Sequence, residues 1–187
     1  MPRVLHLLTA LAVLIPVAGA AYVLRAQITP HIISPSAEKP AQGATISAKP
    51  VPQDVRKEMV NAVNQERTKR GIPALRRNVF LDRAAQAHAQ DMLTNNYFSH
   101  TSRDGRSPSA RMIAAGYKPP VCNCIIKTSY GENIIRDRKT AQDAVNAWMQ
   151  STVHRGNILS TGFQDIGIGS VGGMWVQTFG KISVQQR

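Results

Sequence analysis

Beyond residue 53 the chain carries three histidines, His88, His100 and His154. His100 lies in NYFSHTSRDG and His154 in STVHRGNIL, both places where helical periodicity gives way to polar loop. Side chains at such points can project into a cleft held by the rigid elements behind them. Glu132, in SYGENII, is the only acid between Asp104 and Asp137 and sits in an otherwise apolar, half-buried stretch. A buried carboxylate needs a partner, a metal ion or a raised pKa. Two neutral imidazoles and one carboxylate make a divalent metal site with open positions for water, suited to zinc or another first-row ion. Separations of 32 and 22 residues do not by themselves bring His100, Glu132 and His154 together. The competing reading is three separate satisfied polar residues, with Glu132 accepting backbone hydrogen bonds. His88 shares a helix face with Ala84, Ala85 and Met92 and reads as packed core.

The elements that must position these residues are legible in the periodicity. Val55, Met59, Ala62, Val63 and Glu66 predict a helix that Asp54 can cap and Gly71 can end, with Pro73 forbidding continuation. A second helix is predicted from Val79 to about Thr94, capped by Asn78. Ser107 before Pro108 opens a short third helix closed by Gly116. Thr140 to Asp143 has capping-box form and opens a helix through Val145, Trp148 and Met149. DIGIGSVGGMWVQTFGKI then alternates on either side of Gly172-Gly173, the signature of a hairpin. Ile125-Ile126 and Asn133 to Ile135 are weaker strand segments. Three helices, a strand, a helix and a hairpin suggest an α+β fold with helices on an antiparallel sheet, not a doubly wound nucleotide-binding fold. No P-loop, dinucleotide fingerprint or H-E-x-x-H is present.

A chain of 187 residues holds one ordinary domain once its start is set aside. Arg3 precedes Val4 to Leu24, a run without formal charge that passes the small-residue site Ala18-Gly19-Ala20. This predicts a signal peptide over 1–20, with Pro16 breaking the helix before cleavage. The alternative is an uncleaved anchor reaching to about residue 25. Residues 21–53 read as a linker, with five prolines between 26 and 53, and the folded domain is expected over 54–187. From Asp54 onward, 19 Lys and Arg stand against 10 Asp and Glu, a net +9. On an exported domain, the polyanions such a surface meets are envelope components rather than nucleic acid. Arg136, Arg138 and Lys139 lie close together in that surface; the alternative is a solvated basic face without a partner. Cys122 and Cys124, the only cysteines, are expected to form a local bridge or to remain free thiols in a loop.

The succession VNQERTKRGIPAL, LDRAAQAHAQDM, NYFSH, AAGY, GENI, AWMQS, HRGNIL, FQDIGIG and MWVQTFG is similar to the CAP superfamily, also called the SCP or pathogenesis-related-1 domain. It most resembles the exported bacterial members, over roughly Val55 to Val184. The resemblance implies a three-layer α-β-α sandwich with a central antiparallel sheet. It also implies a cleft where two histidines and up to two glutamates converge and divalent metal is often held. By motif these positions fall on His100, Glu132 and His154. Ser151 stands three residues after Trp148, where many eukaryotic members have a glutamate, so a three-residue site is expected.

Two functions follow from the resemblance. The first is exported recognition of an envelope component, lipid or protein, with a divalent metal or small ligand in the cleft; the membrane is then met only through an uncleaved leader or surface charge. The second is metal-dependent hydrolysis, peptidase-like, with a metal at His100 and His154 activating water and Glu132 as ligand or general base. If Glu132 is a ligand, no obvious base remains, which favours binding.

Overall fold

A computed structural model of the chain describes residues 52–186. The expected leader over 1–20, and the linker as far as residue 51, lie outside the described residues. In chain order the elements are α1 (Gln53–Thr68), β1 (Arg76–Arg77), α2 (Val79–Thr94), α3 (Pro108–Ala114) and β2 (Cys124–Ile135). They continue with α4 (Ala141–Gln150), α5 (Thr152–Leu159), β3 (Asp165–Val171) and β4 (Met174–Gln186).

Three helix starts are fixed by side chains that accept otherwise unpaired backbone N–H groups. Asn78 Oδ1 accepts from Phe80 N at 2.9 Å and from Leu81 N at 3.3 Å. Ser107 Oγ accepts from Ala110 N at 3.2 Å, with Pro108 at the first helical position. Thr140 Oγ1 accepts from Asp143 N at 3.1 Å. The start of α1 differs from expectation. Pro52 occupies its cap without a side-chain hydrogen bond, so Asp54 contributes charge in the first turn instead of capping. Helix α5 was not evident in the sequence, because the single residue Ser151 both ends α4 and caps α5 through His154 N.

The sheet runs β1-β3-β4-β2. β3 pairs antiparallel with β4, and β4 with β2, while the two-residue β1 joins β3 in parallel and makes the sheet mixed. The two weak strand segments prove to be one strand, β2, paired with β4 from Cys124↔Gln186 to Ile135↔Trp175. Lys127, Thr128 and Ser129 interrupt its apolar pattern, but they lie opposite β4, whose long ladder carries them. Gly172 and Gly173, both at positive φ, form the turn between β3 and β4. Cys122 and Cys124 are joined in a disulfide at the start of β2, the bridged alternative of the two foreseen.

Helices cover both faces. Ile166, Ile168, Trp175 and Phe179 point from the sheet into a core with Met59 and Val63 of α1, Trp148 of α4 and Ile158 of α5. On the other face Ile134, Met174 and Val176 pack on Ala85, Ala89 and Met92 of α2, while Leu81 and Ala84 meet Met112 and Tyr117. The alternation in DIGIGSV follows from this layering. Its isoleucines fill the α1/α4 side, and Gly167 and Gly169 let α2 lie against the backbone of β3. The result is an α+β sandwich of helices, sheet and helices, with β2 and α2 framing one edge where the candidate residues gather.

Candidate functional site

Glu132 sits on β2 with its side chain only 2 % exposed. Each of its oxygens has a specific partner. Oε2 accepts from Nη2 of Arg111 at 2.7 Å, and Oε1 lies 2.9 Å from Nδ1 of His100. A carboxylate only accepts, so His100 Nδ1 carries the hydrogen, and Nε2 is the nitrogen of the neutral ring left for an outside partner. Half of the His100 side chain is solvent-exposed, whereas Arg111 is buried. Arg111 also donates through Nη1 to His100 O at 2.8 Å, Ser102 Oγ at 3.0 Å and Arg106 O at 3.0 Å. One guanidinium therefore neutralises Glu132 and ties down the loop that carries His100. Beside this pair a cavity of about 460 Å³ is lined by His100, Pro108, Ser109, Tyr130, Gly131 and Glu132.

His154, in the first turn of α5, is brought to the same edge through amides. Asn133 Nδ2 donates to His154 O at 3.1 Å and to Gln177 Oε1 at 3.2 Å. Asn157 Nδ2 donates to Glu132 O at 3.2 Å and to Asn133 Oδ1 at 2.9 Å. The asparagines of GEN and HRGN thus lock α5 to β2 beside Glu132. Partial burial lowers the pKa of His154, and the nearby His100 lowers it further, so both effects favour a neutral imidazole.

His88 is buried, as its helix face suggested, yet it also belongs to this cluster. Its Nε2 donates to Ser99 O at 2.9 Å and lies 3.9 Å from Glu132 Oε1. Burial outweighs the attraction of Glu132 and lowers the His88 pKa below the usual 6.5. The unfolded chain then takes up a proton, below about pH 6.5, that the folded chain resists, so stability falls as pH drops toward the lowered folded value. Urea midpoints measured with a chelator present are expected to fall between pH 7.5 and pH 5, and less steeply in His88→Gln. An unchanged slope in that variant would remove His88 as a source of the acid sensitivity.

The match with known proteins extends over this whole framework. The family model for CAP, the cysteine-rich secretory protein family, matches residues 60–179. The chain belongs to the CAP family. The uncharacterized protein YkwD of Bacillus subtilis is 40 % identical over 125 residues, covering 66 % of this chain and 46 % of that protein. The uncharacterized membrane protein YlbC of the same organism is 29 % identical over 125 residues, covering 67 % and 34 % respectively. The match thus spans less than half the length of either relative. An extracellular SCP-domain protein of Bacillus anthracis superposes with a TM-score of 0.60 at 23 % identity, covering 75 % of this chain and 45 % of that one. An outer surface protein of Borrelia burgdorferi gives 0.61 at 19 % identity, covering 73 % and 99 %. At these identities the two structures establish the shared fold alone.

Within the CAP domain, three site residues escaped the sequence reading. Arg111 gave no signal beyond its place in SPSARM, although a buried Glu132 required some cation. Asn133 and Asn157 lay in plain view inside GENI and HRGNIL, but their role is to join segments that only the fold brings together. Among the described residues no three His, Cys, Asp or Glu side chains form a ready coordination set. The donor chemistry still suits a metal at the two imidazoles. His100 has Nε2 free, His154 favours its neutral form, and Glu132 stands behind His100 as a carboxylate behind a metal-binding histidine does. Among the described residues no helix is long and apolar enough to cross a membrane.

Proposed function

We propose that the chain is an exported CAP-domain recognition protein whose cleft holds a divalent metal ion, zinc first, or a small ligand at His100 and His154. The observation that carries this reading is the chain of contacts from Arg111 to Glu132 to His100 Nδ1. It orients one imidazole, and in the neutral ring so oriented Nε2 is the acceptor nitrogen that a metal ion or a hydrogen bond from a bound molecule requires. A bound divalent ion would supply a Lewis-acidic contact for a carboxylate or phosphate on the recognised partner. Glu132 serves this site by fixing His100. Its engagement at both oxygens also argues against its use as a free general base, so binding is preferred to hydrolysis. Calorimetric titration of the full chain with zinc, repeated after chelation, tests the reading. Saturable, chelator-reversible binding is expected, and its absence at millimolar zinc would remove the metal from the proposal.

The partner proposed is an anionic component of the cell envelope. Arg136, 63 % exposed and 3.7 Å from Asp137, and the neighbouring Arg138 and Lys139 set three cations against Asp137 and Asp143 near the start of α4, leaving an excess of positive charge. Vesicles containing anionic phospholipid should retain the protein at low salt and release it as ionic strength rises. Equal retention on neutral vesicles would contradict a charge-driven contact.

A further inference from the structure

β1 ends at Arg77, opposite Ile166, so Ile168 and Ser170 of β3 have no strand on that side among the described residues. Side chains take its place. Ile168 N donates to Asp82 Oδ1 at 2.8 Å, and Ile168 O accepts from Arg56 Nε at 3.1 Å. Gln86 serves Ser170 in the same way, accepting from its N at 3.3 Å and donating to its O at 3.0 Å. Covering a sheet edge requires donors and acceptors but no net charge. The charge gathered here is the part that this edge role leaves unexplained.

Arg56 donates to Ile168 O and, through Nη2, to Gln86 Oε1 at 3.1 Å. Both partners are neutral, so the guanidinium makes no ion pair among the described residues. Burial lowers its pKa, Asp82 opposes that shift, and Arg77 adds to it. Arg77 is anchored on Asp82, whose Oδ2 accepts from its Nε at 2.7 Å. With one oxygen given to Arg77 and the other to Ile168 N, Asp82 is fully engaged. Arg83 donates to Ala115 O at 3.2 Å, a neutral partner again. All three arginines line one open groove of about 480 Å³ where α1, β1 and α2 meet, and Asp82 is the one carboxylate on its walls. Three guanidiniums against one carboxylate leave two positive charges in excess.

A guanidinium already fixed by other bonds loses little freedom on meeting an anion, and its fork matches phosphate oxygens. A carboxylate offsets only one charge, whereas a phosphate monoester carries about −1.5 to −2 near neutral pH and accepts in several directions. The groove is large for a bare phosphate, and Gln53 and Gln90 on its walls offer amides to hydroxyls. We infer that this groove is an anion site, separate from the His100/His154 cleft and from the Arg136 surface, that takes the phosphate of a small hydroxylated monoester. The phosphate oxygens accept from Arg56 and Arg77, with Arg83 at the exposed rim, and the hydroxyls meet Gln53 and Gln90.

To test this, the full chain is titrated with glycerol 3-phosphate and with acetate, in chelator and at constant ionic strength, while the arginine Nε–H signals are followed by NMR. Glycerol 3-phosphate is expected to shift the Arg56 and Arg77 signals saturably, and acetate to bind at least about tenfold more weakly. Arg56→Gln, which exchanges the charge for an amide, should weaken glycerol 3-phosphate binding by about tenfold or more. Lys57→Gln, an equal loss of charge at the next residue but outside the groove, should leave it unchanged. Should Arg56→Gln fail to fold, Arg83→Gln at the exposed rim is expected to weaken binding by about threefold. Displacement of the bound ester by phosphatidate vesicles would support the site with a lipid headgroup as the source, and its absence would support it with a soluble ester. Failure of the wild type to saturate, equal affinity for acetate, or equal losses in the groove variant and Lys57→Gln would overturn the inference.

Discussion

Arg111→Ala is expected to lower the unfolding free energy by about 3–5 kcal/mol, read as a drop in the urea midpoint, because it strands the Glu132 carboxylate as an unpaired buried charge. The pair is closed from solvent, with side chains 6 % and 2 % exposed. Arg111 also supports the carbonyls of His100 and Arg106, so the variant should loosen the His100 loop as well as the core. A double variant, Arg111→Met with Glu132→Met, separates charge from packing. It removes both ions, and part of the lost stability should return, since a buried pair replaced by apolar side chains is often neutral. A loss below about 1 kcal/mol for Arg111→Ala would mean that Glu132 is not held as an ion in the folded protein.

Gly169→Ala should be comparably severe, for a purely steric reason. A Cβ there would overlap the Ala85 carbonyl carbon and the Gln86 nitrogen and lie 2.5 Å from Ala85 O. These are backbone atoms of α2, so no rotamer change relieves the clash, and helix and sheet must separate. A loss of about 3 kcal/mol or more is expected, at the upper end of overpacking costs. Because α2 carries His88, the separation should also disturb the Glu132 cluster. Gly156→Ala in α5 is the control: nothing lies within 4 Å of its added Cβ, and alanine is the better helix former. A Gly169→Ala protein as stable as the control would contradict the close seating of α2 on β3.

These two positions also show what the sequence could and could not convey. Local rules served well where the chemistry is local. Asn78, Ser107 and Thr140 cap the helices they were expected to cap, and Gly172-Gly173 makes the expected turn. The family resemblance led to the correct fold and pointed to His100 and Glu132, which the structure brings into contact. Long-range pairing was harder to see. β2 read as two fragments because its middle is polar, and only the facing ladder of β4 makes it one strand. The spacing of Gly167 and Gly169 carried the approach of α2, but without the layered fold it read only as strand alternation. Arg111 was passed over for the same reason, and His88, read as the buried residue it is, gave no sign of its approach to Glu132. Their importance comes from a carboxylate more than 20 residues away in sequence, and neither periodicity nor motif spacing reports such a contact.

The central claim is that His100 and His154 are the ligands and that Glu132 acts through His100. Zinc titration calorimetry on the wild type, His100→Ala, His154→Ala and Glu132→Gln tests it most directly. Either histidine variant should lose affinity by roughly a hundredfold or more, since a first-contact imidazole is gone. Glu132→Gln should still bind, with affinity reduced by about 10–100-fold, as for loss of an orienting partner. Wild-type affinity in His154→Ala, or complete loss confined to Glu132→Gln, would contradict this arrangement of the site.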